Sequence, residues 1–165
     1  FRQRSLGMFI GGIDKAGLIV GFYRDANNAG HGFLRDTNGT IGTIDVPGAV
    51  FTLASGINKA GQIVGQYSDG AAVHGFRRDT DGTFTTIDVP GALGTFPTGI
   101  SGKKTVGFYT DSSSVTHGFL LKRGVFTTID VPGADPTLPQ GISKKKIVGY
   151  SFDANDVAHG FLATP

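Results

Sequence analysis

Short runs of β-branched and aromatic residues alternate along the whole chain with clusters of Gly, Asn, Asp and Pro. That is the pattern of strands joined by tight turns, and no segment calls for a helix. In the stretch from Phe51 to Ala92 the pattern predicts strands over about Phe51–Ile57, Gln62–Tyr67, Val73–Arg78 and Thr83–Val89. Asn58–Gly61, Ser68–Ala72 and Asp79–Gly82 separate them. Asp81-Gly82, like Asn38-Gly39 before it, is a hairpin signal because the turn needs positive φ. The fourth strand is amphipathic, with Ile87 and Val89 on one face and Thr86 and Asp88 on the other. Pro90-Gly91 then stops the pairing, since Pro has no N–H to give to a ladder.

The same pattern returns four times. Gly-Ile recurs at Gly12, Gly56, Gly99 and Gly141, and His-Gly-Phe at His31, His74, His117 and His159. Thr-Ile-Asp-Val-Pro-Gly-Ala recurs at Thr43, Thr86 and Thr128. Repeats at about 12–55, 56–98, 99–140 and 141–165 plus 1–11 therefore fill one domain, 1–165. Four antiparallel strands in about 43 residues match a propeller blade, with the first strand at the axis and the fourth at the rim. Ala54, Ser55, Gly56, Thr98 and Gly99 are small, as a narrow centre demands. The expected fold is an all-β, four-bladed β-propeller. The last repeat ends without a rim strand, and Phe1–Leu6 stand where one would fall, so the N-terminal strand is expected to complete the last blade and close a monomeric ring.

Composition narrows the function. The 165 residues hold no Cys, so there is neither a disulfide framework nor a thiolate metal site. No apolar run is long enough to span a bilayer. All thirteen acidic residues are Asp, a turn and cap former.

Gly-Ile-Asn, Ile-Val-Gly-x-Tyr, His-Gly-Phe and Thr-Phe-Thr-Thr-Ile-Asp-Val-Pro-Gly-Ala together resemble the HAF family of bacterial extracellular repeats. The resemblance covers the whole chain and implies an exported or cell-surface protein. It brings no activity, cofactor or catalytic residue with it. The Lys-rich turns Ser101–Lys104 and Ser143–Lys146 depart from its pattern.

One histidine per repeat invites a metal reading, but the third strand lies two strand spacings, about 10 Å, outside the first, too far for four ligands to meet on the axis. Asp25, Asp69, Asp111 and Asp153 precede their His by five or six residues, so Asp25–His31, Asp69–His74, Asp111–His117 and Asp153–His159 are expected to be structural pins. Asp45, Asp88 and Asp130 are the candidates for Ca²⁺ if any ion is bound. Motifs for a nucleophile, a zinc protease or a phosphate loop are missing, so no catalytic residue and no cofactor is assigned and the chain is not expected to be an enzyme. The recurring Phe and Tyr read as packing between blades, with Phe96, placed in a crossing loop, as the aromatic free to touch a ligand.

Charge supplies the functional expectation. In an up-and-down blade the turns after the first and third strands share one end. Lys15, Lys59, Lys103, Lys104, Lys144, Lys145 and Lys146 fall in the first of these, joined by Lys122 and Arg123 in the second, while nine aspartates gather at the other end. A non-catalytic recognition module that binds a glycan or an anionic surface polymer through this basic face is expected, without specific nucleic-acid binding. The alternatives are a structural scaffold with no ligand and a Ca²⁺-stabilised propeller.

Overall fold

A computed structural model describes residues 7–164, and among them it contains fifteen strands and no helix. The first sheet is β1 (Gly7–Ile13), β2 (Ile19–Arg24), β3 (Gly30–Arg35) and β4 (Ile41–Ile44). The second is β5 (Phe51–Ile57), β6 (Ile63–Ser68), β7 (Val73–Arg78) and β8 (Phe84–Ile87). The third is β9 (Gly94–Ser101), β10 (Lys104–Thr110), β11 (Thr116–Lys122) and β12 (Val125–Ile129), and the last is β13 (Thr137–Ser143), β14 (Lys146–Phe152) and β15 (Ala158–Ala163). Within each sheet successive strands pair antiparallel, and one parallel bridge, Val73 with Gly94, joins the second sheet to the third. The strand expected over Thr83–Val89 is shorter, because the Val89 N–H leaves the ladder and donates to Thr95 Oγ1 of the next sheet at 3.0 Å. Val46 to Thr52 and Val131 to Thr137 repeat this crossing bond, and all three threonines are buried.

The recurring glycines are explained by close approach. A Cβ on Gly65 would lie 2.9 Å from the Phe76 ring, which fills the space above it and is fully buried. A Cβ on Gly75 would lie 2.5 Å from Ile87 O and 2.7 Å from the Pro97 ring of the next sheet. Ile-Val-Gly and His-Gly-Phe are thus two halves of one packing unit.

Sheets stack in chain order, and a separate core forms at each of the three junctions. Val20, Ile44, Ala54, Ile63 and Phe76 make the first, flanked by Leu34. Val64, Ile87 and Ile100 make the second, flanked by Leu121 and Phe126, and Val106, Leu120 and Ile147 the third. At the two ends of the stack the equivalent faces are open. Met8, Phe9, Ile10 and Ile13 on β1 are exposed, as are Val148 on β14 and Leu162 on β15. The strand expected to close a ring, Phe1–Leu6, lies outside the described residues.

Candidate functional site

Each imidazole stands on the third strand of its sheet, and antiparallel register decides what surrounds it. Gly75 pairs with Ile87, so the next positions outward, His74 and Asp88, face each other across the rim. The Nδ1–H of His74 donates to Asp88 Oδ2 at 2.8 Å; His31 to Asp45 and His117 to Asp130 repeat this at 2.9 Å. From the loop side, Asp69 and Asp111 reach Nε2 of His74 and His117 at 3.4 Å, Asp153 reaches Nε2 of His159 at 2.9 Å, and Asp25 stands 3.7 Å from Nε2 of His31. The loop aspartates have a second task. Oδ1 of Asp25 accepts from the N–H groups of Asn27 and Ala29, Asp69 from Ala71 and Ala72, Asp111 from Ser113 and Val115, and Asp153 from Asn155 and Val157. One carboxylate therefore closes the loop and steers the ring.

On the other side the second strand brings a tyrosine opposite each of the first three histidines. Tyr23, Tyr67 and Tyr109 lie over His31, His74 and His117 with ring centroids 5.2 to 5.3 Å apart, and each tyrosine hydroxyl meets Thr43, Thr86 or Thr128 at 3.1 to 3.3 Å. At His74 and His117 the aromatic face and two carboxylates favour an imidazolium. The bond to Asp88 above all raises the His74 pKa, and the bond to Asp130 raises that of His117, against partial desolvation. The Ala72 N–H chiefly lowers Asp69, the Val115 N–H lowers Asp111, and the Ala29 N–H lowers Asp25; for Asp153 the first cause is His159.

The sites are not four equals. His159 faces Ser151 across the ladder instead of a tyrosine, and its only carboxylate partner among the described residues is Asp153. The calcium candidates Asp45, Asp88 and Asp130 each give Oδ2 to an imidazole Nδ1. Among the described residues no three His, Cys, Asp or Glu side chains gather to hold a metal ion. Phe96 is not in a crossing loop. It belongs to β9, which begins at Gly94 after the short link Ala92-Leu93 that follows the Pro-Gly turn, and it stacks on Phe108 at 4.8 Å.

At the other end the first turns of neighbouring sheets touch. The buried Asn58 closes its own turn by accepting from Ala60 and Gln62, and its Nδ2 donates to Gly102 O of the next turn at 3.2 Å. The Nζ of Lys104 donates to Lys144 O at 2.7 Å, and the Lys144 N–H donates to Ser101 Oγ at 3.3 Å. Lys103, Lys104, Lys144, Lys145 and Lys146 thereby come together on two adjoining turns. Lys59 occupies the preceding turn, Lys15 the one before it, and Lys122 and Arg123 lie at the hairpin between β11 and β12.

No family model matches the chain, and no curated protein matches it. Among solved structures it is similar to a streptogramin B lyase, a propeller-like protein, with a TM-score of 0.51 and 14% sequence identity over all of this chain. This chain spans 57% of that one. The similarity defines the class of fold: repeated antiparallel sheets stacked in the manner of a propeller.

Proposed function

We propose that the protein is a non-catalytic bacterial cell-surface or extracellular recognition module whose basic end docks on an anionic polymer, and that its sheets are four propeller blades. The contact of Lys104 with the Lys144 carbonyl carries the reading. It ties together two turns from neighbouring sheets that carry five lysines between them, where a lone exposed lysine would be a point charge in water. Such a patch attracts a polyanion through many weak, screened contacts, and repetition along the polymer multiplies them. The opposite end holds its carboxylates against imidazoles, so the two ends of the blades differ in sign.

The test is retention on heparin and dextran sulfate at low ionic strength, compared with a variant in which Lys103, Lys104, Lys144, Lys145 and Lys146 are all changed to Ser. The parent is expected to be retained and to elute as salt shortens the Debye length. Equal retention of the variant would remove the basic end as the docking surface.

A further inference from the structure

Arg77 breaks the repeat. The residue after His-Gly-Phe is Leu34 in the first repeat, Leu120 in the third and Leu162 in the last. Leu34 packs against the first inter-sheet core and Leu120 is buried in the third. At the same place between the second and third sheets the chain puts a guanidinium, and there the junction opens into a groove of about 540 Å³. Ile100, Leu121 and Phe126 give the groove an apolar side, while Lys103 and Arg123 bring two more cations to it from the basic end. Asp88 also lines it, but it is already the acceptor of His74.

The arginine is held and yet incompletely used. Its Nη2 donates to Asp79 Oδ2 at 3.2 Å, and Asp79 is itself fixed by Gln62 Nε2 at 2.6 Å. Its Nε is sealed from solvent without an acceptor. Leu at this position would pack as in the neighbouring junctions and leave no unpaired donor, so the arginine costs the fold something that packing does not return.

We infer that the groove between the second and third sheets, built on Arg77, Lys103 and Arg123, binds a carboxylated sugar ring, the uronate unit of an acidic polysaccharide. With Nε sealed and Nη2 on Asp79, the guanidinium of this 40% exposed side chain meets a carboxylate through its remaining Nη protons, the lysine and second arginine add attraction, and the apolar side takes the hydrophobic face of the ring. The volume lies within the range of small-molecule pockets. The inference rests on the polyanion reading only for the identity of the polymer, since the groove could be filled by a short oligomer alone.

A trimer of glucuronate and a neutral trimer of the same length, titrated by calorimetry and by amide chemical shifts, are the probes. The parent should bind the uronate and not the neutral trimer. Arg77→Leu, which installs the residue of the neighbouring repeats, should keep or raise the melting temperature and weaken uronate binding about tenfold or more. Arg78→Leu should leave binding unchanged, because Arg78 lies over Phe84 instead of lining the groove. The inference is overturned if the parent fails to bind the uronate, if Arg77→Leu binds it as well as the parent, or if the neutral trimer binds equally. Uronate binding without retention on heparin would leave the groove and remove the lysine patch; retention without Arg77-dependent uronate binding would do the reverse.

Discussion

His74 is held between Asp88 and Asp69, with Nδ1 at 2.8 Å from one carboxylate and Nε2 at 3.4 Å from the other. A neutral imidazole has one N–H and can donate to only one of them, whereas the imidazolium donates to both. The arrangement therefore prefers the charged ring, and the same holds for His117 between Asp130 and Asp111.

The consequence is a stability that depends on pH. For His74 and His117 the folded pKa lies above the ordinary value of 6.5, so the folded state binds the proton more tightly than the unfolded chain. Their contribution is fully present below 6.5 and is lost as pH rises through the raised folded value. The melting temperature should accordingly fall as pH is taken upward from 6.5. Substituting both His74 and His117 with Gln should flatten that part of the profile, and an unchanged slope would show that the imidazoles do not titrate in this way.

The loop aspartates act in the opposite sense. Asp25, Asp69, Asp111 and Asp153 have folded pKa values below 3.8, mainly through backbone N–H donors or, for Asp153, through His159. Their contribution is present above 3.8 and is lost as pH falls through the lowered values. Asp69→Asn should reduce the loss of stability below pH 3.8 while lowering stability at neutral pH. A melting-temperature profile between pH 2 and 5 that matches the parent would contradict it, the range being chosen around the ordinary carboxylate value.

Glycine substitutions test the packing unit directly. Gly75→Ala places a methyl 2.5 Å from Ile87 O and 2.7 Å from Pro97, and neither backbone nor proline ring can easily move aside. A loss of about 1–3 kcal/mol is expected, as for an overpacked core. Gly160→Ala, the same motif position in the last sheet, meets nothing nearer than Gly149 O at 4.0 Å and should be nearly neutral by denaturant unfolding. Equal costs at the two sites would mean that the motif glycine is kept for another reason.

Much of this was legible in the sequence, and the exceptions have a common cause. Strand limits over Phe51–Ile57 and Val73–Arg78 followed from turn residues, because Gly, Asn and Asp set φ locally. The pairing of Asp69 with His74 also followed, being confined to one loop. Asp88 as the stronger partner of His74 did not, since the two meet only through the register of β7 with β8, thirteen to fourteen residues apart in the recurring pairs. Tyr67 packs against the first inter-sheet core as its apolar ring implies, and strand register in addition lays it over the imidazole, which the sequence does not show. Arg77 stands where Leu34 and Leu120 stand in the sequence, but the recurring motifs end one residue before it and do not flag it. Its setting depends on the open junction between the second and third sheets, which is a matter of packing and not of local pattern.

The two ends of the stack make the last prediction. Ile10 occupies the place that Ala54, Pro97 and Pro139 hold on the later inner strands, each ahead of the same register shift, and those three are buried whereas Ile10 is 63% exposed. Val148 and Leu162 occupy the places of Val106 and Leu120, which are 0% and 5% exposed, but are themselves 50% and 62% exposed. The open face of β1 and that of β14–β15 are therefore the two halves of an interface that the chain forms internally three times. Interfaces of this head-to-tail kind propagate unless the rotation closes them. The 165-residue protein is expected to associate head to tail with a second copy, as a concentration-dependent increase of mass in sedimentation. Val148→Asp with Leu162→Glu should suppress it by placing unpaired charges in the junction, while leaving the three internal cores and the melting transition intact. A monomer at all concentrations would oppose this outcome and favour a ring closed within one chain, in which Phe1–Leu6 pair beside β15; deleting those six residues would then lower the melting temperature and start the association.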